Sequence, residues 1–214
     1  MAVPHVATQR PYFGVPTSQR KAVRHACLVR AAVEVLGTEG YHGATVAQLC
    51  ATAGLTERYF YEAFPSKEAL FLATYDMLQN QRMVRIRAAV KSEEAPVLVR
   101  IEQSILAFLD FIREERWRGR ILLIECVRMG KPVATRTLRV LGEYASTLER
   151  ELSAMPSRFN SDQISLPLLA SGLIGSNVLI TMRWMHDDFQ QPMASVLHAI
   201  LVPYRACLSG AESA

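Results

Sequence analysis

The sequence predicts an all-α protein, with an N-terminal three-helix head of helix-turn-helix type followed by a larger helical body. Three observations carry this. Apolar residues recur at intervals of three and four along most of the chain, turns are marked by capping residues with Gly and Pro, and no stretch alternates as a half-buried strand would. The expected divisions are a flexible arm at 1–19, the head at 20–65 and the body at 66–214. With 214 residues, 50% of them hydrophobic, the chain is large enough to bury a core in both.

The arm follows from Pro4, Pro11, Gly14 and Pro16 and from the lack of apolar periodicity; it has no apolar run of signal-peptide length. A first helix is expected at 20–38, with Leu28, Ala32, Val35 and Leu36 inward, Gly37 and Gly40 around its end and Tyr41 plugging the head's core. Thr45 opens a second helix, because Gln48 three residues later completes a capping box. Its buried face is Val46, Leu49, Cys50 and Ala53, and Gly54 ends it. Thr56 is the expected N-cap of a third helix, with Leu55 packing on Phe60 as a staple, Phe60 and Phe64 inward and Pro65 at the end.

Glu57, Arg58, Tyr59, Tyr61 and Glu62 are left outward on a helix too short to survive alone. Two short helices around a tight turn, the second with large groups outward, form a helix-turn-helix, whose second helix can enter a DNA major groove. An ordinary packed helix pair carries the same caps. Ser66 caps a fourth helix and puts Lys67 in its first turn, where the helix dipole disfavours a cation. A phosphate bound there, against the lysine and the free amide hydrogens, would reverse that penalty.

Ala31-Ala32, Gly40-Tyr41, Thr45-Val46, Ala53-Gly54-Leu55-Thr56, Tyr61 and Phe64-Pro65-Ser66-Lys67 stand in the order and spacing of the tetracycline-repressor (TetR) family's DNA-binding domain. The chain resembles that family over about residues 22–75; beyond them the likeness is one of size and helical character. The resemblance implies a homodimeric transcriptional regulator, usually a repressor, released from its operator when a small molecule enters the C-terminal domain. Carried over by position, Thr45, Tyr61 and Lys67 touch phosphates of double-stranded DNA, and Thr56, Arg58 and Tyr59 lie nearest the groove. Arg58, Glu62 and Ala63 depart from the family's usual small, basic and aromatic residues, so base specificity does not carry over.

Charge is distributed as phosphate binding requires. Of the net +4, residues 1–67 hold +3 (seven basic against four acidic), and residues 1–33 have five basic residues and no acid. Arg10, Arg20 and Lys21 suit an arm that follows the minor groove, whereas residues before Arg10 read as disorder without function.

In the body a long helix is expected from Ser66 to about Ala89, with Leu70, Tyr75 and Leu78 inward and Arg82, Arg85 and Arg87 outward; it would link head and body as a lever. After a break at 92–96, Leu98, Ile101, Ile105, Phe108 and Ile112 form a helical stripe. A charged connector at 113–120 leads to a short apolar helix at 121–129, in which Glu125 is the interior acid. A helix from Pro132 to about Ala154 turns Leu138, Leu141, Ala145 and Leu148 inward. Residues 163–182 carry no charge over membrane-span length, but Ser, Asn, Thr and Pro interrupt them, so a buried helix is the better reading than a membrane span. Leu168, Gly172, Gly175, Leu179 and Met182 on one face suit close approach of a dimer mate, with the last helix (Met193, Leu197, Ile200, Tyr204, bent at Pro203) completing a four-helix interface.

Cys27, Cys50, Cys126 and Cys207 show no metal or disulfide spacing and suit a reducing cytoplasm. His186-Asp187-Asp188 resembles a fragment of a metal site, but adjacent residues on a helix point in different directions, so the match is weak. There is no phosphate loop after a strand and no nucleophile elbow, so no cofactor, metal or catalytic residue is expected. The expected effector is small and largely apolar, lined by residues such as Trp117, Glu125, Met129, Tyr144, Asn177 and Trp184. The rival reading is a helical scaffold gripping a protein through Tyr59 and Tyr61. Salt separates the two, because DNA binding weakens steeply as salt rises.

Overall fold

The computed structural model describes residues 17–154 and 165–209, which form helices and no strand. The head is α1 (Thr17–Gly43), α2 (Val46–Ala53) and α3 (Glu57–Ala63). Leu28, Ala32, Leu36, Leu49, Phe60 and Phe64 close its core, and Phe60 and Phe64 lie ring to ring. Most of the expected arm lies outside the described residues; residues 17–19 are already the first turn of α1. That helix also runs past the expected stop at 38, because the chain kinks at Gly40 (φ 75°, ψ 169°) and then adds a short turn. Thr45 and Gln48 cap each other as predicted, and Gly54 ends α2 in the left-handed conformation. Thr56 stands at the N-cap of α3, but its hydroxyl makes no capping bond; its carbonyl accepts the Tyr59 and Phe60 amides instead.

The body begins with α4 (Lys67–Ala89), capped by Ser66, whose hydroxyl accepts the Ala69 amide. Leu70, Tyr75 and Leu78 are buried as expected, Phe71 is buried beside them, and Arg85 and Arg87 point outward. Arg82 does not: it is 5% exposed. Position 82 falls seven residues after Tyr75 and four after Leu78, so it belongs to their stripe, and helical phase outweighed the preference of a cation for water. Helix α5 (Val97–Glu114) packs along α4, with Arg85 paired to Glu114.

Where a connector and a separate helix were expected, residues 116–128 form one helical run. It comprises α6 (Arg116–Gly119), a π-helical segment (Arg120–Glu125) and α7 (Cys126–Arg128). Helix α8 (Lys131–Ser153) turns Val133, Val140, Ala145, Leu148 and Leu152 inward. The inward assignment of Leu138 fails, since it is 69% exposed. Thr137 falls four residues after Val133 and three before Val140, in phase with their buried stripe, whereas Leu138 is one position off it; Arg136 pairs with Asp76 of α4 at the edge of the same face.

Helices α9 (Leu166–His186) and α10 (Met193–Ser209) pack on each other, and α10 also contacts α5. α9 is long and apolar enough, by length and composition, to cross a membrane. It is not a fully buried helix. Ala170, Leu173, Asn177, Thr181 and Trp184 face inward, while Leu168, Gly172, Gly175 and Leu179, the face expected to meet a second copy, lie open. A charge-free helix can thus hide one face and display the other, which composition alone does not distinguish. Pro203 is accommodated inside α10.

Candidate nucleic-acid interface and the body behind it

Helix α3 has seven residues and is held by Phe60, which is fully buried, and by Phe64 at its end. Its other face is open. Tyr61 is 58% exposed, Tyr59 is also exposed, and the Arg58 side chain is nearly free of contacts except for Glu62 at 3.2 Å. The face is continued by α1. The Arg24 guanidinium lies 4.4 Å from the centre of the Tyr59 ring and reaches Glu62 at 3.5 Å, so Glu62 is shared between Arg24 and Arg58. Arg24 was not singled out from the sequence. Its signal was faint, because one arginine on a basic helix looks like any other until the turn brings α3 across it.

Thr45 and Thr56 flank this face and are exposed. The Thr45 hydroxyl is engaged with Gln48, donating to its Oε1 at 2.9 Å, whereas Thr56 Oγ1 takes no part in capping. Lys67, expected at a phosphate, is engaged within the chain itself. Its Nζ donates to the carbonyls of Tyr41 (2.7 Å) and Ala44 (2.6 Å) and sits 4.5 Å from the centre of the Tyr41 ring. Burial pulls the pKa of this ammonium down, while two carbonyl dipoles and a ring face favour its charge. Lys67 therefore ties α4 to the tail of α1.

The same tail is gripped from the body by the π-helical segment. Glu125, 2% exposed, accepts the Tyr41 amide on Oε2 at 2.9 Å and meets Arg120 Nε with Oε1 at 3.3 Å. Arg120 Nη1 in turn donates to the carbonyls of Gly37 (3.1 Å) and Thr38. In an α-helix, residues five apart diverge around the axis; the wider π-helical turn brings Arg120 and Glu125 to one side, where both reach α1. Trp117 completes the junction, with its Cα and Cβ seated against Gly37 and its indole N–H donating to Glu115.

The six residues expected to line an effector site are dispersed. Trp117 and Glu125 belong to this junction. Met129 is buried beyond α7. The Tyr144 hydroxyl accepts from Arg82 Nη2 at 2.6 Å. Asn177 Nδ2 donates to the Tyr204 hydroxyl at 2.7 Å, leaving its Oδ1 buried without a partner. Trp184 donates to the Gln191 carbonyl and stacks edge-on against Phe189. Among the described residues no group of His, Cys, Asp or Glu could hold a metal. Asp187 and Asp188 of the weak sequence fragment pair instead with Arg183 and Arg116.

A helix-turn-helix head with an open second helix, joined through a long helix to a larger helical body, is the architecture of helical transcriptional regulators. Residues 28–74 match the model of the family described as "Bacterial regulatory proteins, tetR family", so the helix-turn-helix head is of that family's type. It is 25% identical to the HTH-type transcriptional activator FasR of Mycolicibacterium smegmatis over 77% of this chain and 74% of that protein. It is 24% identical to the nucleoid occlusion factor SlmA of Haemophilus influenzae over 84% of each. Similar folds include the fatty acid degradation regulator FadR of Bacillus halodurans, with TM-score 0.72, 16% identity and coverage of 88% and 96%. FadR of Bacillus subtilis in complex with stearoyl-CoA has TM-score 0.72, 18% identity and coverage of 84% and 98%. These relatives are regulators or a nucleoid factor rather than enzymes.

Proposed function

We propose that the protein is a cytoplasmic, homodimeric repressor that inserts α3 into successive major grooves of a roughly palindromic operator and lets go when a small molecule enters its body. The observation that carries this is the outer face of α3. Arg58, Tyr59 and Tyr61 stand exposed on a helix whose inward residues are fully committed to the core. Thr56 and Arg58 would approach base edges, together with Tyr59 braced by Arg24. Thr45 and Tyr61 would meet phosphates, and Lys67 would serve them by fixing the turn that presents Thr45.

The open faces of α9 and α10 would form the dimer contact as a four-helix interface, with Gly172 and Gly175 allowing close approach. The effector would occupy the interior of the body between α4, α5 and α8 and present largely apolar surface; the similar FadR of Bacillus subtilis is in complex with stearoyl-CoA, a ligand with a long acyl chain. Its arrival would reach the head along α4 and through the grip of Arg120 and Glu125 on the tail of α1.

Fluorescence anisotropy on DNA fragments flanking the protein's own coding region tests the reading. Binding should be two-fold symmetric and fall steeply with salt. Tyr61→Phe should weaken all sequences alike, while Arg58→Ala should change which sequence wins. Salt-insensitive binding, or equal effects from both substitutions, overturns the assignment.

A further inference from the structure

Arg82 is the one buried cation among the described residues. Other partly covered arginines of the body have carboxylate partners: Arg100 with Glu151, Arg118 with Glu115, Arg120 with Glu125 and Arg136 with Asp76. Arg82 has none among the described residues. Its Nη2 donates to the Tyr144 hydroxyl at 2.6 Å, and its guanidinium lies 4.7 Å from the Tyr144 ring centre and 5.4 Å from that of Phe108. Its Nε is buried with no acceptor. Two aromatic faces and one neutral hydroxyl compensate a desolvated guanidinium only in part, since burying such an ion without a counter-charge is costly.

The surroundings share the same bias. Gln79, one turn earlier on α4, and the buried hydroxyl of Thr137 on α8 lie beside the Tyr75 hydroxyl and, for Thr137, the Cys126 thiol, so that only neutral groups face one another there. The Tyr75 hydroxyl and Cys126 thiol lie within reach of the Arg82 charge and are kept neutral by burial. The cluster thus holds one positive charge, several neutral hydroxyl, amide and thiol groups and no carboxylate. Such an arrangement complements a single negative charge, and a guanidinium with a free Nε–H matches the planar fork of a carboxylate.

We propose that Arg82 is the counter-ion for an effector bearing one carboxylate on an otherwise apolar body, bound between α4, α5 and α8 with its carboxylate against the Arg82 Nε edge and Tyr144. This rests on the effector reading above and deepens it, making the effector an amphiphilic monoanion rather than a neutral hydrocarbon-like molecule. A dianionic phosphate monoester would bring one charge too many for a single buried cation. A neutral alcohol of the same length would leave the cation uncompensated.

The test uses the full-length protein and calorimetric titration with saturated fatty carboxylates from four to sixteen carbons, the matched primary alcohols and alkyl phosphates, and stearoyl-CoA. At least one carboxylate should bind roughly tenfold to a hundredfold tighter than its alcohol, the range of a charge-assisted hydrogen-bond pair. It should also bind tighter than its alkyl phosphate. Arg82→Lys should reduce that preference and Arg82→Met should abolish it. Because the buried charge burdens the ligand-free fold, Arg82→Met should leave the melting temperature unchanged or raised. The proposal is overturned if alcohol and carboxylate bind alike, if alkyl phosphate binds as tightly as carboxylate, if no carboxylate in the series binds, or if stearoyl-CoA alone binds, unaffected by Arg82→Met. A melting temperature well below that of the parent would instead mark Arg82 as a structural cation and also overturn it. In each case operator binding by the unliganded protein is measured alongside, so failure of this idea and failure of the regulator reading remain separate.

Discussion

The junction between head and body can be broken at a single backbone position. Gly40 lies at φ 75°, ψ 169°, a region essentially reserved for glycine. An added Cβ would meet Arg120 Nη2 at 2.8 Å and Glu125 Oε1 at 3.0 Å. Arg120 has room to swing aside. Glu125 does not move freely, because its carboxylate is buried and accepts the Tyr41 amide at 2.9 Å. Gly40→Ala therefore incurs backbone strain of about 1–3 kcal/mol and disturbs a charge-assisted hydrogen bond of roughly 1.5–3 kcal/mol. A total of about 2.5–6 kcal/mol, at roughly 2–4 °C per kcal/mol for a chain of this size, is a fall of at least about 5 °C in melting temperature.

Gly54→Ala is the control. Gly54 also has positive φ (66°), but in the left-handed helical region, and a Cβ there meets nothing within 4 Å. Its cost should be only about 1–2 kcal/mol. Scanning calorimetry of both variants with the parent protein decides the matter. If Gly40→Ala is no more damaging than Gly54→Ala, the account of the junction is wrong.

Three further outcomes are expected. Lys67→Met removes two carbonyl partners and a ring contact, so it should lower stability by about 2 kcal/mol in urea denaturation even without DNA; an unchanged midpoint would return Lys67 to the role of an exposed phosphate contact. The Tyr204 hydroxyl is pushed by burial up to about 12, above the usual 10, so its neutral form is favoured in the fold. That contribution is complete below pH 10 and is lost as pH rises from 10 to 12, by about 1.4 kcal/mol per unit. Tyr204→Phe should flatten this part of the pH profile, and an unaltered slope would rule it out. Gly172→Leu places bulk on the open face of α9, where a Cβ meets nothing within 4 Å of the same chain. It should leave the subunit folded by circular dichroism yet shift light scattering toward monomer, and an unperturbed dimer would move the interface elsewhere.

The sequence by itself determined the head. Its caps, glycine turn and aromatic anchors act over three to five residues, so Thr45, Gly54, Phe60 and Ser66 could be assigned from their neighbours alone. The outward face of α3 followed, since a short helix with two inward aromatics has only one way to point the rest. Only the tertiary structure decided what distant helices do to one another. Lys67 reads as a free cation until the tail of α1 folds over it, and Leu138 reads as core until packing on α7 and α9 buries the Val133–Val140 face of α8 instead. Arg82 marks the boundary between these cases, because its position in the apolar stripe of α4 was countable, but the lack of a carboxylate across from it was not. Local hydrogen bonding and helical period are written in adjacent residues, whereas charge compensation depends on which helices pack together, and that is settled by the whole chain's burial at once.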